Sequence, residues 1–270
     1  MIKETSTDTL TIAPHVAARR RTAVAGAPPC PTAAHEARDY RRSLERAAKS
    51  RTCADRPRDF SFRGRRWELM ADVFAPTDSP STGVALELLG IGADWQPPCT
   101  GPFLEMGCGA GVISVLAALS GAGQVYSCDI NPAAVENTWR NAVHADVEDR
   151  VHVMQSDLFT ALPPGKRFGQ IFFSSNYVQA PEGFRYRTMH ERAYVDAGYA
   201  VHRRYIAEAP RRLAPGGRAL LHFSSRGDLD ALHRIAEETG SRLRVVRRIR
   251  VPERTLDIEH QLIEITAVGD

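Results

Sequence analysis

The 270-residue chain lacks the features that mark secreted, membrane-spanning and fibrous proteins. No stretch approaches the roughly 20 apolar residues that cross a bilayer, and the N-terminal segment has no apolar signal core. The five cysteines are an odd number without a CxxC pair, which argues against a disulfide framework or a zinc knuckle. No internal repeat is visible. We therefore expect a soluble, cytoplasmic protein with no membrane partner and no metal site.

The composition is that of an ordinary globular protein, since 43% of residues are apolar and 25% are charged. The charge is uneven. Residues 1–66 hold 15 Lys and Arg against 7 Asp and Glu, whereas the rest of the chain is mildly acidic. A basic segment can indicate a nucleic-acid partner. These arginines are scattered among Ala and Pro without a nucleic-acid motif, so we do not expect such a partner and favour a solvated or domain-covering arm.

Composition and pattern divide the chain into three regions. Residues 1–30 are rich in Thr, Ala and Pro and are expected to form a flexible N-terminal arm. Residues 31–100 are expected to form a helical and strand extension that acts as a lid or substrate cover. Its predicted elements are a helix over residues 32–51, short strands over 60–62 and 67–73, and a helix over 84–89. Residues 101–270 are expected to form the catalytic domain.

From residue 102 onward, strand-like and helix-like runs alternate. The strand-like runs are residues 103–106, 125–128, 151–155, 170–174 and 219–223, and the helical runs are 111–119, 133–144, 199–213 and 229–238. This alternation predicts βαβ units and a parallel sheet covered by helices on both faces. Two further strand-like runs, 243–251 and 259–268, follow without a helix between them and predict an antiparallel hairpin at the end of the sheet.

The strongest chemical signal is a strand that runs into three alternating glycines, Gly107, Gly109 and Gly111, and then into a helix. Glycines let the backbone turn sharply and approach a ligand, and the helix N-terminus offers unpaired N–H donors. A dinucleotide fingerprint needs a small third residue where this chain has Val112 or Ser114, so that reading fits poorly.

An acidic residue, Glu105, followed by G-x-G-x-G resembles the class I S-adenosylmethionine-dependent methyltransferases. The resemblance implies an α/β fold with a doubly wound, Rossmann-like, seven-stranded and mostly parallel sheet. It also implies S-adenosyl-L-methionine as cofactor. In that family the glycine loop holds the methionine and ribose portion, and Glu105 would help to receive the methionine ammonium.

The same resemblance assigns further cofactor contacts at the ends of the next strands. Asp129, followed by Ile130, would hold the ribose hydroxyls. Asp157 would lie beside the adenine amino group, with Leu158 or Phe159 against the ring. A lone Asp at any of these positions could instead be a turn or a helix cap. Three acidic residues at strand ends of one sheet favour the cofactor site.

The segment after the fourth strand carries the predicted catalytic residues, Asn176 and Tyr177. Relatives that methylate amide or amino nitrogens, including the release-factor glutamine enzymes, carry Asn-Pro-Pro-Tyr there. This chain has Ser174 and Ser175 before Asn176 and no proline pair, which removes a fixed φ and argues against protein-glutamine or DNA-adenine methylation. Ser175 is grouped with the cofactor-binding residues. The competing interpretation is a loop Asn that caps its own backbone.

A stretch dense in tyrosine and histidine, residues 186–205, follows at the position where this fold usually builds its acceptor pocket. His190 or His202 could act as a general base, because an unshifted imidazole titrates near pH 6.5. A single histidine in a helix can equally be a surface or structural residue.

Three function hypotheses remain open from the sequence. The first is methyl transfer to a nitrogen or oxygen of a small molecule in specialised metabolism. The second is cyclisation of the cofactor itself to azetidine-2-carboxylate and methylthioadenosine. The third is a non-catalytic binder, or an RNA or protein methyltransferase that uses the basic arm. The sequence predicts neither the acceptor nor the oligomeric state.

Overall fold

The computed structural model describes residues 38–92, 95–98, 100–253 and 256–269. The predicted flexible arm, residues 1–30, and the predicted beginning of the first helix lie outside these residues. No described helix is both long and apolar enough to cross a bilayer.

The described residues of the N-terminal extension form two helices and one hairpin. In chain order these are α1 (Tyr40–Thr52), β1 (Asp59–Phe62), β2 (Arg65–Glu68) and α2 (Ser81–Leu89). The side chain of Asp39 caps α1 by accepting a hydrogen bond from the Arg41 N–H at 2.9 Å. The α2 helix lies where the apolar run predicted it.

The remainder of the chain alternates strands and helices. The elements are β3 (Phe103–Met106), α3 (Val112–Leu119), β4 (Val125–Asp129), α4 (Pro132–His144), β5 (Val151–Gln155), β6 (Phe168–Ser174), β7 (Val178–Ala180), β8 (Val195–Ala197), α5 (Ala200–Glu208), β9 (Leu213–Ser224), α6 (Leu229–Glu238), β10 (Ser241–Glu253) and β11 (Leu256–Ala267). Seven strands form one sheet in the order β10-β11-β9-β6-β3-β4-β5. Only β11 runs antiparallel to its neighbours. The predicted doubly wound sheet with a C-terminal hairpin is confirmed.

Two apolar cores cover the sheet, one on each face. The first joins α2, α3 and α4 to the sheet through residues such as Leu86, Val115 and Phe172. The second joins α5 and α6 through residues such as Ile206 and Leu232. Because both faces are covered, side chains on both sides of the inner strands are buried, as β3 shows with four consecutive buried residues, of which only Glu105 is polar.

The second predicted strand of the extension, residues 67–73, is shorter than expected because side chains of α4 take over its backbone hydrogen bonds. Asn141 Oδ1 accepts from the Glu68 N–H at 2.8 Å, and Asn137 Oδ1 accepts from the Met70 N–H at 2.9 Å. Both amide Nδ2 groups donate to the Glu68 carbonyl at 3.0 Å. Two buried asparagines therefore fasten the extension to the catalytic domain.

Two further boundaries differ from the prediction for backbone reasons. The helix expected over residues 199–213 ends at Glu208 and continues as a 3₁₀ turn, Ala209–Arg212, where Pro210 has no N–H for an α-helical bond. The strand expected over residues 219–223 begins earlier, at Leu213, so that Gly216 and Gly217 lie within β9. There Gly217 comes so close to the neighbouring strand that a Cβ would lie 2.7 Å from the Phe168 carbonyl oxygen.

The small parallel sheet formed by β7 and β8 was not predicted. Each strand has only three residues, and a 3₁₀ turn, His190–Ala193, precedes β8. This sheet and the α1 helix share a small apolar core that includes Ala47, Val178 and Tyr194. The α1 helix therefore rests on the segment that follows the predicted catalytic residues.

Candidate active site

A cavity of about 360 Å³ opens at the carboxyl ends of the parallel strands. The ends of β3, β4 and β6 contribute Met106, Asp129 and Ser174 to its lining, and the turn after β5 contributes Asp157. Ligands of open α/β sheets bind in this position. The volume lies near the lower end of the roughly 300–1,000 Å³ that small-molecule sites occupy. Ten of the eleven predicted site residues line this one cavity, and the exception is Gly111. Residues that the sequence did not indicate complete the lining.

The three predicted glycines build the turn between β3 and α3, and all three have positive φ, at 70°, 54° and 78°. The Gly107 N–H donates to the Cys128 carbonyl at 2.7 Å, which ties the loop to β4. At Gly111 a Cβ would lie 2.9 Å from Thr138 Cα, so only glycine lets α3 begin this close to α4. Gly109 has open space on its Cα instead, and the backbone there faces the cavity without obstruction.

Asp129 lies at the end of β4, with both carboxylate oxygens held by backbone donors. Oδ2 accepts from the Gly109 N–H at 3.0 Å, and Oδ1 accepts from the Asn131 N–H at 2.9 Å. Burial raises the pKa of Asp129 above its ordinary value, and these hydrogen bonds oppose the shift. Each oxygen retains a lone pair, so the carboxylate can accept from paired hydroxyls such as those of a ribose. Ile130, the next residue, also lines the cavity.

Glu105 is deeper than its predicted role suggested, with only 2% of its surface exposed. Its Oε2 accepts a hydrogen bond from the Ser114 hydroxyl, which in turn accepts from the Ser127 hydroxyl at 2.6 Å. Burial raises the pKa of Glu105 to about 8. The side chain still lines the cavity, so an ammonium group that approached it would favour the ionised form.

Asp157 and Leu158 lie at the opposite end of the cavity. The Asp157 oxygens both accept from Nη1 of Arg204 at 2.9 Å. Leu158 has a φ of 52°, an uncommon conformation for a residue with a bulky side chain. Its buried side chain lines the cavity, and the Ser156 hydroxyl donates to its carbonyl at 2.5 Å. The backbone at Leu158 thus places its apolar side chain beside the Asp157 carboxylate in the cavity lining.

Asn176 is fixed by two backbone carbonyls. Its Nδ2 donates to the Arg192 carbonyl at 2.7 Å and to the Val195 carbonyl at 2.8 Å. These contacts determine the orientation of the amide, because only its NH₂ end can serve two carbonyls. Its Oδ1 is buried and accepts no hydrogen bond from any residue the structure describes. The cavity wall therefore contains a rigidly held acceptor without a donor.

Ser175 and Tyr177 flank Asn176, and both are in contact with β9. The Ser175 hydroxyl donates to the His222 carbonyl at 3.0 Å, which anchors the end of β6. The Tyr177 hydroxyl lies 3.3 Å from His222 Nδ1. Burial raises the pKa of Tyr177 well above its ordinary value, so the phenol stays protonated at neutral pH. His222 was not among the predicted site residues.

The hypothesis that His190 or His202 acts as a general base is wrong, because neither ring lines the cavity. His202 is fully buried, and its Nδ1 lies 2.7 Å from Asp196 Oδ2 in the interior of the domain. His190 is buried beneath the Tyr194 ring, 5.2 Å away between centroids. Both histidines support the acceptor side of the site without facing it.

Four arginines that were not among the predicted site residues line the cavity: Arg46, Arg192, Arg204 and Arg226. Arg204 is paired with Asp157, and Arg226 with Glu253. Arg192 lies over the Tyr186 ring at 4.3 Å, and Arg46 lies 6.0 Å from the Tyr194 centroid. Among the described residues neither of these two has a carboxylate partner. The tyrosine-rich stretch, residues 186–205, was the available sequence signal for Arg46 and Arg192, because both arginines pack against its tyrosines.

The described part of the chain contains no group of three or more His, Cys, Asp or Glu side chains placed to hold a metal ion. Cys108 and Cys128 are buried free thiols. Burial raises the pKa of Cys128 to about 12, so this thiol is not a nucleophile at neutral pH.

Comparison with known proteins identifies the family. The family model of the ribosomal protein L11 methyltransferases matches residues 80–166. A Methanocaldococcus jannaschii protein, provisionally named protein N5-glutamine methyltransferase, is 30% identical over 152 residues, which are 55% of this chain and 75% of that protein. The Bordetella pertussis ribosomal protein uL3 glutamine methyltransferase is 34% identical over 179 residues, with coverage of 62% of this chain and 57% of the relative. The chain thus spans little more than half of the Bordetella protein.

The fold is also shared with a solved structure, the tRNA m1G37 methyltransferase of M. jannaschii. The two have a TM-score of 0.51 at 16% identity, covering 77% of this chain and 54% of that one.

The expectation of a small-molecule substrate, without a nucleic-acid partner, is wrong. Both relatives are named for protein substrates, the Bordetella one for a ribosomal protein, and the structural neighbour is named for tRNA. The glycine loop, the strand-end carboxylates and these relatives agree on the cofactor as well as on the fold. The chain belongs to the class I S-adenosylmethionine-dependent methyltransferases, and its cofactor is S-adenosylmethionine.

Proposed function

We propose that this enzyme methylates the side-chain amide nitrogen of a glutamine residue in a protein. The observation that carries the proposal is the orientation of Asn176, whose NH₂ end is occupied by two carbonyls while its Oδ1 has no donor among the described residues. A fixed carbonyl oxygen can accept an N–H of an acceptor amide, whereas it offers nothing to an aliphatic carbon.

The missing proline pair had argued against this reaction, and the structure supplies a different support for Asn176. In relatives with Asn-Pro-Pro-Tyr the prolines restrict the backbone. Here the carbonyls of Arg192 and Val195 hold the side chain instead. The Tyr177 carbonyl accepts the Tyr199 hydroxyl at 2.7 Å and lies against Gly227. Asn176 is therefore held in the cavity wall without the prolines, and its buried Oδ1 is an acceptor that no described residue satisfies.

A protein acceptor is supported by the dimensions of the site and by the relatives. A cavity of about 360 Å³ is small, so a protein acceptor would enter it by the tip of one side chain. The relatives from Methanocaldococcus and Bordetella are named as glutamine methyltransferases. The bound cofactor supplies an activated methyl group on its sulfonium, so the protein's contribution is to hold the acceptor nitrogen in line, at about 3–3.5 Å.

The experiment uses methyl-labelled S-adenosylmethionine with ribosomal protein uL3, ribosomal protein L11 and whole ribosomes as acceptors. We expect label in protein, located by peptide mass spectrometry on a glutamine that has gained one methyl group. Asn176→Ala should lower turnover by about 100-fold, the lower end of the range for a positioned polar group in catalysis.

Gln179→Ala is a matched control, because Gln179 is an exposed amide three residues away and does not line the cavity. Label confined to RNA would refute the protein acceptor. Methylthioadenosine formed from the cofactor alone would point to cyclisation, and unchanged turnover in Asn176→Ala would remove the basis of the proposal.

A further inference from the structure

A line of hydrogen-bonding side chains crosses four adjacent strands and ends at the cavity. Glu253 is on β10, His260 on β11, His222 on β9 and Ser174 on β6. The sheet order places these strands side by side, and Ser174 is the direct register partner of His222. Both histidines are fully buried. Such a row is unusual in an apolar sheet, where a buried polar group requires a partner.

The row is joined by contacts of hydrogen-bond length from Ser174 to His260, and Glu253 lies just beyond hydrogen-bond distance of His260. His222 Nε2 lies 2.9 Å from His260 Nδ1, and His222 Nδ1 lies 3.0 Å from the Ser174 hydroxyl and 3.3 Å from the Tyr177 hydroxyl. At the other end His260 Nε2 lies 3.8 Å from Glu253 Oε1. Ser174 and Tyr177 line the cavity beside Asn176, so the row begins where the acceptor nitrogen would be held.

Glu253 determines where the protons lie. Burial opposes its ionisation, but His260 and Arg226 outweigh that effect and hold the pKa of Glu253 at about 2. A carboxylate at this position favours a proton on His260 Nε2, which leaves His260 Nδ1 as an acceptor. The short contact then requires the proton of His222 on Nε2. His222 Nδ1 is left as an unprotonated base that faces two hydroxyls on the cavity wall.

We propose that this row carries away the proton that the acceptor nitrogen loses during methyl transfer, an inference that rests on the proposed N-methylation. The nitrogen forms its bond to the methyl carbon while the carbon–sulfur bond breaks and its electron pair remains on sulfur. The N–H proton passes to the Ser174 or Tyr177 oxygen as that hydroxyl gives its own proton to His222 Nδ1. The Nε2 proton of His222 moves to His260 Nδ1, and the cation formed there faces Glu253 at the edge of the sheet.

His222 acts through a hydroxyl, so it is a positioning and relay residue. Burial and the neighbouring His260 keep the pKa of His222 well below its ordinary value, and the ring is therefore neutral at physiological pH. The other titratable or charged groups around the pair are Tyr177, Glu253 and Arg226, together with Arg46 from α1. Of these, only Glu253 is negative, so its removal should make protonation of the pair harder.

The first test is independent of turnover. Nitrogen-15 NMR of the histidine-labelled enzyme should show both His222 and His260 protonated on Nε2 near neutral pH. Assignments come from the loss of signals in His222→Gln and His260→Gln. A proton on Nδ1 of His222 would overturn the relay, because the ring would then have no base directed at the cavity.

The second test is the pH profile of methyl transfer to the protein acceptor. His222→Gln retains a donor for His260 but removes the base, and we expect kcat to fall about 100-fold while KM for S-adenosylmethionine is unchanged. Glu253→Gln should lower kcat about tenfold and move the acidic limb of the profile to lower pH. A merely structural role would reduce the amount of active enzyme without moving that limb.

His152→Gln is the matched control, since His152 also lies in a sheet strand but far from the row and outside the cavity lining. If His222→Gln does not fold, Glu253→Gln decides, because Glu253 lies at the sheet edge. Wild-type kcat and an unshifted profile in both variants would refute the relay. A wild-type enzyme that labels no protein nitrogen would instead refute the proposed function, while the NMR result would still report the proton positions.

Discussion

Cofactor binding should be linked to the ionisation of Glu105. Its carboxyl is buried, and its pKa of about 8 means that most molecules carry it protonated at neutral pH. If the methionine ammonium of the cofactor lies beside it, as the resemblance implies, the bound state favours the carboxylate. Binding below about pH 8 must then release a proton, and the affinity for the cofactor should rise with pH.

The magnitude follows from the ionised fraction. At about pH 6 only roughly 1% of Glu105 is ionised in the free protein, against roughly half at about pH 8, so Kd should fall about 50-fold between these values. The folded state also loses stability as pH rises through the pKa of Glu105, since ionisation without a cation is opposed by burial. The cofactor should therefore raise Tm more at about pH 8 than at about pH 6.

Isothermal titration calorimetry in two buffers of different ionisation enthalpy measures both quantities. We expect about one proton released per cofactor at about pH 6 and about half a proton at about pH 8. Glu105→Gln should flatten the dependence, whereas Glu148→Gln, which changes an exposed carboxylate outside the cavity lining, should leave it intact. An affinity independent of pH with no proton release would show that Glu105 does not face the ammonium.

Two further predictions concern packing and charge. Gly111→Ala should lower the free energy of unfolding by about 3 kcal/mol, because it adds strain at positive φ and a steric clash with Thr138. Gly109→Ala adds a Cβ in open space and should lower it by only about 1 kcal/mol. Thermal denaturation measures both losses, and equal losses would contradict the packing argument. Arg46→Glu should raise KM for an acidic protein acceptor about tenfold without altering the Kd of the cofactor. The reason is that Arg46 lies on the cavity wall without a carboxylate ion-pair partner among the described residues. An unchanged KM in steady-state kinetics would exclude Arg46 from acceptor binding.

The cofactor side of the site could be predicted because its determinants are local in sequence. A buried strand, a glycine turn and a helix N-terminus follow one another within residues 103–119. In a parallel sheet the residues that end successive strands meet at one edge, so Glu105, Asp129 and Asp157 could be placed together before their contacts were known. The environment of each side chain could not be predicted, because the burial of Glu105 and the pairing of Asp157 with Arg204 depend on other segments.

The acceptor side depends on contacts between distant parts of the chain. Asn176 was recognised from its motif, but its orientation is set by carbonyls 16 and 19 residues later, in and before a three-residue strand that has no sequence signal. The mouth of the cavity includes Arg46 from a helix some 130 residues earlier in the chain. Neither the orientation of Asn176 nor the position of Arg46 follows from a periodicity or a motif spacing in the sequence.

The buried histidines show how such a relationship could be detected. Within the run Ala219–Phe223 of β9, His222 is the one polar residue, and it comes two positions before the strand ends at the cavity edge. Burying an imidazole among apolar side chains costs free energy unless another group receives its hydrogen bond. His260, on the neighbouring strand β11, supplies the partner for His222. The pairing of β11 with β9 sets His260 opposite Ser224, two residues from His222. Each buried imidazole needs the other as a hydrogen-bond partner. We therefore predict that substitution of either histidine alone will disturb the other.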